Sequence, residues 1–431
     1  MKTSRYVDAS FRPLVTAALF AAALSIIPHS AARADDYHYK SLLVGNRAAG
    51  MAGAYTAVSD DATGLFYNPS GIVYTNGANV SASSNAFQYE RTQYSDAIGS
   101  SKWTRTSSTL LPNFFGAVQP LGPVTVGLSY AVPDSVNENL AQEFSNLSSL
   151  GLDRFAINLN QMDNTYLFGP SVAYGKGPLS FGATIYYFHR HWQIIMNQWI
   201  KKADTVDSKG VVTQAGLKYQ NNMYYEDTED GVKPVLGLMC SPTDYLSFGL
   251  TASRTMVMKD KATRQISVMY EGSSNDSRST ISFAKTTEKR DYPWTFNLGV
   301  AWYPNPSLML TADASYYTIT DNDNFPSAEP TWNASVGCEY YLTRAWALRT
   351  GFYTNNANTL KVKKGYVDQD PHIDQYGATL STGYFSKSSS LELGLGYATG
   401  NGKDQIIAGD TSIQKVRTDS LSIYLSAGYT F

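Results

Sequence analysis

The sequence is poor in the features that mark most enzymes and most helical membrane proteins. It has only two cysteines and five histidines in 431 residues, and it contains no Gly-rich phosphate-binding loop, metal-ligand cluster or cofactor motif. After the first 34 residues it has no apolar run of the roughly 20 residues that a transmembrane helix needs. These absences argue against an enzyme, and against a bundle of membrane-spanning helices.

Charge is also scarce, at 16% of the residues, and the formal net charge is −2. The first 34 residues carry four basic side chains and one acidic one, a net charge of +3, so the remaining chain has a net charge of −5. A mildly acidic chain is not expected to bind nucleic acid.

The two cysteines could pair in an exported protein. However, Cys338 is in phase with the apolar Trp332 and Val336, and Cys240 is in phase with Leu238, in stretches where apolar and polar residues alternate. This phase predicts two unpaired thiols that face lipid near a turn.

The N-terminus has the pattern of an export signal. Lys2, Arg5 and Arg12 precede an apolar run over residues 14–27, and a small-residue cleavage pattern ends at Ala34. We therefore predict a signal peptide over residues 1–34, cleaved after Ala34, and export across the inner membrane of a bacterium.

The last eleven residues alternate between two faces. The apolar face holds six residues that end in an aromatic, namely Leu421, Ile423, Leu425, Ala427, Tyr429 and Phe431. A strand with one face in lipid survives only in a closed barrel, because every backbone group in a bilayer must be paired. This pattern predicts the closing strand of an outer-membrane β-barrel.

Alternation and turn signals continue through the chain and give fourteen strands, with short turns alternating with long loops. We predict an all-β fold, a 14-stranded antiparallel transmembrane β-barrel over residues 77–431. The 31 tyrosines are consistent with aromatic girdles at the two membrane interfaces. Residues 35–76 are rich in Gly and Ala and do not alternate, so we expect them to form a plug, or hatch, in the barrel lumen.

Four charged residues fall on the inward face of predicted strands: Asp313, Glu339, Arg349 and Glu392. On the lipid face a basic side chain would cost about 2–4 kcal/mol at the midplane, so all four are placed in the lumen. Either they pair with one another or with the plug, or they take part in passing a substrate.

One motif of the predicted plug resembles a known family. An Asp-Asp-Ala segment is followed at fixed distance by Asn-Pro and a small residue, and the motif includes Asp60, Asp61, Asn68, Pro69, Ser70 and Gly71. This resembles the plug signature of the FadL family of long-chain fatty acid transporters, which includes the toluene and xylene channels; Ser70 stands where that family usually has Ala. Blocks over residues 293–317, 332–353 and 368–397 are also similar to the family, whereas the likeness is weak over residues 81–280.

The resemblance implies passive uptake of hydrophobic small molecules through a monomeric outer-membrane channel. The ligand would be captured by extracellular loops, enter a luminal pocket and leave sideways through a gap beside a kinked strand. Asn68, Pro69 and Ser70 would lie at that gate, or would form only a structural turn. Outer-membrane lipid, lipopolysaccharide and the barrel assembly machinery would be its other partners.

The substrate stays open between a long-chain fatty acid and an aromatic hydrocarbon. Two other functions also remain: a polar-solute porin, which would need an open lumen, and a non-transport barrel partner in protein export or surface assembly.

The predicted loop over residues 133–163 is unusually apolar. Its candidate ligand-capture residues, together with one from the following loop, are Leu140, Phe144, Leu147, Phe155 and Trp199. The first three have helical spacing. They would form either a capture groove or a small loop core that closes the barrel mouth, and Arg154, Lys201 and Lys202 are candidates for attracting a carboxylate.

His189 and His191 lie on one face of a predicted strand, within reach of one metal ion. No third ligand is evident, so we expect polar residues at the extracellular rim and no metal or cofactor. With four histidines outside the signal peptide and no nucleophile motif, we do not expect an enzyme.

Overall fold

The computed structural model describes residues 37–98, 101–145, 147–148, 151–214, 216–272, 277–287, 289–322, 327–406 and 411–431. The predicted signal peptide and its cleavage site lie outside the described residues.

Eighteen strands account for most of the described chain. They are β1 (Asn79–Ile98), β2 (Ser101–Leu121), β3 (Val124–Phe144), β4 (Arg154–Lys176), β5 (Leu179–Lys202), β6 (Thr205–Val206), β7 (Val212–Gln214), β8 (Leu217–Thr243), β9 (Leu246–Ser253), β10 (Met256–Glu271), β11 (Ser277–Thr286), β12 (Thr295–Asn305), β13 (Leu308–Tyr317), β14 (Thr331–Tyr341), β15 (Trp346–Asn355), β16 (His372–Phe385), β17 (Ser389–Asp404) and β18 (Gln414–Thr430).

Sixteen of these strands form one closed antiparallel sheet, and β6 and β7 form a separate small hairpin. Strands β9 and β10 are the two halves of one interrupted strand, since both pair with β8. Strands β11 and β12 are likewise two halves, because β11 pairs with β10 and β12 with β9. The described sheet is therefore a 14-stranded barrel in which β1 pairs with β18, and the predicted fold class is confirmed.

The alternation of side chains explains why this sheet closes. In β14, Trp332, Val336 and Tyr340 are exposed while Ser335 and Glu339 are buried. The apolar side chains face outward, where their contact with lipid is favourable, and the polar side chains face the lumen.

Aromatic rings mark both edges of the apolar outer surface. At the end with long connections, the rings of Tyr316 and Trp332 lie 4.4 Å apart, and at the end with short turns those of Trp346 and Tyr384 lie 5.1 Å apart. The short turns use glycine in the left-handed region, as at Gly122 with φ 70°, which only glycine adopts without strain. By the usual rule the short turns are periplasmic.

The predicted loop over residues 133–163 is mostly strand, so that prediction was wrong. Strand β3 extends to Phe144 and β4 begins at Arg154, and the two pair through Leu140 opposite Leu159 and Phe144 opposite Phe155. The Leu140 and Phe144 spacing of four fits both a helix and one face of a strand, and cross-strand pairing decides between them. The strands on this side therefore continue past the bilayer.

Residues 37–77, which we call the N-terminal segment, precede the barrel. They contain α1 (Asn46–Gly50), α2 (Gly64–Tyr67) and a 3-10 helix (Pro69–Tyr74). Among the described residues, no helix has the length and apolar character to cross a bilayer. Cys240 and Cys338 are unpaired, as predicted, and both are half-buried.

Candidate functional site

The N-terminal segment is almost wholly buried and contacts inward-facing positions of the barrel strands. Glycines on those faces allow the close approach. A Cβ at Gly182 in β5 would lie 2.3 Å from the backbone nitrogen of Ser70, and one at Gly237 in β8 would lie 2.1 Å from Asn68 Oδ1. Any larger residue at these two positions would displace the turn at Pro69.

A buried ionic network joins the N-terminal segment to β14, β15 and β17. Arg47 binds Glu339 through two bonds of 2.9 and 3.0 Å, and it also contacts Asp60. Arg349 contacts Glu339 and lies 3.2 Å from Glu392. Three of the four predicted luminal charges are thus in one network with Arg47, which sequence reasoning did not single out.

Asp313, the fourth predicted luminal charge, binds the N-terminal segment separately. Its Oδ2 accepts hydrogen bonds from the backbone amides of Tyr55 and Thr56, both 2.9 Å long. Asp61 caps its own turn by accepting from the backbone amide of Thr63 at 2.8 Å. The carboxylates therefore satisfy amides that would otherwise be buried without partners.

The turn over Asn68, Pro69 and Ser70 is held by the amide of Asn68. Its Nδ2 donates to the carbonyls of Thr56 (2.7 Å) and Leu238 (3.2 Å). Its Oδ1 accepts from the backbone amide and the hydroxyl of Ser70, at 3.2 and 2.7 Å. The Ser70 hydroxyl, which departs from the family pattern, is therefore satisfied within the turn.

One stretch of the wall beside a kinked strand lacks ladder pairs, and it lies away from that turn. Strands β2 and β3 pair from Phe114 opposite Ala131 downward and again at Ser107 opposite Glu138. Residues 108–113 of β2 and residues 132–137 of β3, all of them described, form no ladder pair with each other. Strand β3 carries a bulge between Ala131 and Asp134, so it bends there.

Two N-terminal residues contact this stretch without ladder pairs, which we call the β2–β3 seam. The backbone amide of Leu42 donates to the carbonyl of Pro133 (3.1 Å), and Asn113 Nδ2 donates to the carbonyl of Leu43 (3.0 Å). Sequence reasoning missed these residues, although a proline inside a strand is a signal for a bulge or an unpaired edge. Asn68, Pro69 and Ser70 instead face β5 and β8.

A cavity of about 280 Å³ lies between the N-terminal segment and the wall. Much of its lining is apolar, including Leu42, Phe66, Tyr67, Leu167, Phe188 and Val235. Because Leu42 and Pro133 line both this cavity and the β2–β3 seam, the two adjoin. A cleft or cavity with apolar walls and a few polar groups is the usual form of a small-molecule site.

Two lysines, Lys40 and Lys233, supply positive charge to the cavity. Burial lowers the pKa of Lys40 to about 8, and the nearby Asp313 carboxylate opposes that shift. Among the described residues no carboxylate makes an ion pair with Lys233. Asp134 and Asp313 line the cavity as well, so the group best placed to receive the anionic end of an apolar molecule is the Lys233 ammonium.

The five predicted capture residues do not form one groove. Leu140, Phe144, Leu147 and Phe155 are buried in one apolar cluster inside the outer end of the barrel. Trp199 is on the outward face of β5, 4.9 Å from the guanidinium of Arg154. Arg154 also pairs with Glu143, so it is not a free head-group ligand.

The two predicted histidines have protein partners on the outward surface. His189 Nδ1 is 2.9 Å from Asp230 Oδ1, and His191 Nδ1 is 3.5 Å from the Thr228 hydroxyl. In the described chain, a different group could offer three ligands to a metal: Asp227, Glu229 and Asp260, with oxygens within 4.8 Å of one another. The Arg290 guanidinium already supplies a positive charge there, since its Nε lies 3.4 Å from Glu229.

Solved structures with this architecture exist despite low sequence identity. The P. putida toluene transporter TodX superposes with a TM-score of 0.60 and 14% identity, covering 91% of this chain and 99% of TodX. The Ralstonia pickettii toluene transporter TbuX gives 0.59 and 13%, covering 91% and 99%. The monoaromatic hydrocarbon channel CymD gives 0.58 and 12%, covering 90% and 97%.

The chain has the fold of these hydrocarbon channels. The resemblance read from the plug motif is thus confirmed at the level of the fold. The similar structures are transport proteins. No protein-family profile and no curated protein matches the sequence.

Proposed function

We propose that this protein is an outer-membrane channel for the passive uptake of hydrophobic small molecules. The observation that carries the proposal is the cavity of about 280 Å³ between the N-terminal segment and the wall, which adjoins the unpaired β2–β3 seam through Leu42 and Pro133. A ligand in this cavity is separated from the membrane by one seam without ladder hydrogen bonds.

In this proposal the ligand leaves the cavity through the β2–β3 seam. Moving Leu42 away from Pro133 breaks one backbone hydrogen bond of 3.1 Å, which is a small change compared with opening a paired wall. The N-terminal segment acts as the plug, and its ionic network with Glu339 and Arg349 keeps it in the lumen while Leu42 and Leu43 move. Either the turn at Asn68 to Ser70 only anchors the end of the plug that lies away from the seam, or it contributes to the gate by holding the plug in place.

The cavity favours a long-chain fatty acid over an arene. Lys233 gives it an ammonium group with no carboxylate partner among the described residues, whereas Lys40 lies near Asp313. An aromatic hydrocarbon has no group that pairs with such a cation. A carboxylate compensates that charge, and its chain occupies the apolar walls. The similarity to toluene channels favours an aromatic hydrocarbon as the second candidate.

The remaining expectations belong to the same proposal. The chain works as a monomer in the outer membrane after loss of residues 1–34, is inserted by the barrel assembly machinery, and contacts lipid and lipopolysaccharide. Its apolar outer surface, with exposed Leu391, Leu393 and Leu395, supports that location.

The test is binding of labelled oleate and labelled toluene to the purified barrel, followed by uptake in cells that lack their own transporter. Saturable oleate binding that Lys233→Met weakens, with unchanged binding in Lys415→Met on the exposed surface, supports a fatty acid channel. Toluene binding that is insensitive to Lys233→Met moves the protein to the hydrocarbon branch. Binding of neither ligand overturns the proposal and favours a porin or a barrel partner in export.

A further inference from the structure

The cavity of about 280 Å³ is lined both by hydroxyl groups and by aromatic rings. A fatty acid has a carboxylate but no ring, and an aromatic hydrocarbon has a ring but no carboxylate. Each of these two candidate ligands therefore matches only part of the lining. A molecule that carries both groups would match both parts.

The polar part of the lining is a patch formed by Lys233, Ser253 and Thr295. Ser253 is directly opposite Thr295 on one side and Val235 on the other. Directly opposed residues have Cβ atoms about 4.5–5.5 Å apart. Lys233 precedes Val235 by two residues and therefore points to the same side of the sheet. One ammonium group and two hydroxyl groups thus lie side by side on the inner wall.

The polar groups of this patch are available to a ligand. Within the described chain, the ammonium of Lys233 makes no hydrogen bond or ion pair, and the hydroxyls of Ser253, Thr295 and the adjoining Thr255 make no hydrogen bond. An ammonium group has three N–H donors and each hydroxyl has one O–H donor. The patch can therefore donate hydrogen bonds to both oxygens of a carboxylate.

The acidic residues of the cavity, Asp134 and Asp313, lie away from this patch. Asp134 is on β3 and Asp313 is on β13, and each of these strands is three places from β8 in the sheet. Strands are spaced about 4.8 Å apart, so each carboxylate-bearing backbone lies on the order of 14 Å along the wall from Lys233. Asp313 is also engaged, because it accepts hydrogen bonds from the N-terminal segment. The charge of Lys233 is therefore left for a ligand.

Aromatic rings supply much of the apolar lining. Three contacting pairs line the cavity, Tyr39 with Tyr317, Phe66 with Tyr67, and Phe188 with Tyr292, and their ring centroids lie 4.0, 5.1 and 5.5 Å apart. Stacked and edge-to-face rings attract each other beyond the effect of the area that they bury. A ring in the ligand can add to these contacts, whereas an alkyl chain gains only from buried area.

Phe188 brings the aromatic lining next to the polar patch. Tyr186 is directly opposite Lys233, and Phe188 is two residues further along β5, so it is a diagonal neighbour of Lys233. A ligand whose carboxylate contacts the Lys233 ammonium therefore places its next few atoms beside the ring of Phe188.

The size of the cavity also matches a single substituted ring. Benzene fills an engineered apolar cavity of about 150 Å³. The cavity here, at about 280 Å³, is large enough for one ring joined to a carboxylate by a short linker. The chain of oleate is longer, so part of it would extend beyond this volume.

We infer that the cavity is a site for carboxylic acids that carry one aromatic ring. The carboxylate binds Lys233, Ser253 and Thr295, and the ring packs against Phe188. This inference rests on the proposed function, and it narrows the substrate class of the same cavity to a molecule that combines the charge of a fatty acid with the ring of an aromatic hydrocarbon.

The first experiment compares ligands that differ in one group. Titration calorimetry on the purified barrel, with detergent alone as the blank, gives the Kd of each. Phenylpropionate should bind about two- to tenfold more tightly than cyclohexylpropionate, whose saturated ring buries at least as much apolar area but lacks the aromatic contacts. It should bind about ten- to 150-fold more tightly than propylbenzene, which keeps the ring but has no carboxylate.

The second experiment changes the two parts of the site separately. Phe188→Leu should remove the preference for phenylpropionate over cyclohexylpropionate. The matched control is Phe115→Leu, the same change at a side chain that is 46% exposed, and it should leave both values of Kd unchanged. Ser253→Ala with Thr295→Val should weaken phenylpropionate about tenfold or more and leave propylbenzene unaffected, because only the carboxylate accepts hydrogen bonds.

The outcomes separate this inference from the proposed function. If oleate or toluene binds while phenylpropionate does not, or if phenylpropionate binds no more tightly than cyclohexylpropionate, the inference is overturned and the channel remains. Equal weakening of phenylpropionate and propylbenzene in the Ser253→Ala, Thr295→Val variant would overturn the carboxylate site. Binding of none of oleate, toluene and phenylpropionate is a different result, which removes the proposed function itself.

Discussion

Replacing Glu339 by Gln should loosen the N-terminal segment without unfolding the barrel. Glu339 is 1% exposed and lies between two guanidinium groups, those of Arg47 and Arg349. The amide keeps the shape of the side chain but removes the negative charge that balances both. Removing one partner of a buried ion pair typically costs about 3–5 kcal/mol. The barrel keeps its ladder, so this cost falls on the contact between Arg47 and the wall.

At about 1.4 kcal/mol per factor of ten, the population with a detached N-terminal segment should rise by roughly two to three and a half powers of ten. Limited trypsin digestion in detergent measures it, because cleavage after Lys40 and Arg47 follows the open population when opening is fast. Single-protein conductance in a planar bilayer gives a second readout, as transient open events.

The matched control is Glu143→Gln, which removes a carboxylate from the pair with Arg154. Both of those side chains are about half exposed, 52% and 49%, and an exposed pair contributes at most about 1 kcal/mol. Digestion and conductance should stay near wild type. If Glu339→Gln is cut no faster than Glu143→Gln, the ionic network does not hold the N-terminal segment in the lumen, and other contacts must do so.

Three further outcomes are expected. Lys233→Met should raise the Kd for oleate by about ten- to 150-fold, since a hydrogen bond to a charged group contributes roughly 1.5–3 kcal/mol, while the Kd for oleyl alcohol measured in parallel should not rise. Lys40 has a pKa of about 8 in the folded protein, below its ordinary value of 10.5. Between these two pH values the unfolded chain binds more protons than the folded one, so resistance to denaturant should increase from pH 8 to 10.5. Unfolding curves of Lys40→Met should not show this increase. Asn68→Ala with Pro69→Ala should impair uptake at normal barrel abundance, whereas Ser70→Ala, which loses one bond of 2.7 Å to Asn68, should retain uptake; normal uptake in the double variant would remove the turn from the gate.

The barrel could be predicted from the sequence because the alternation of apolar and polar residues along a strand is a local pattern. In β14 and β17 each outward position must be apolar and each inward position need not be, so the period of two is visible in Trp332, Val336 and Leu393 without any knowledge of neighbours. The inward placement of Glu339, Arg349 and Glu392 followed from the same alternation. Their grouping around Arg47 did not follow, because it depends on where a segment nearly 300 residues away lies in the lumen.

The extended strands and the breaks were missed for a related reason. Leu140 and Phe144 are four residues apart, which fits a helix as well as a strand, and only the pairing with Leu159 and Phe155 decides. Strands β11 and β12 are two halves of one interrupted strand, and between them Arg290 and Tyr292 turn inward because Glu229 in β8 and Phe188 in β5 provide partners inside. Such partners come from strands far away in sequence.

The β2–β3 seam must satisfy the general constraint on backbone groups in a membrane. In lipid, each unpaired backbone group costs several kcal/mol unless another group satisfies it, so an interruption persists only where the protein supplies replacements. At this seam the amide of Leu42 donates to the carbonyl of Pro133, and Asn113 donates to the carbonyl of Leu43. The Leu42 donor comes from outside the ladder and can withdraw without shifting a strand. Since the seam adjoins the cavity of about 280 Å³, the proposed release route crosses the wall where its ladder is interrupted.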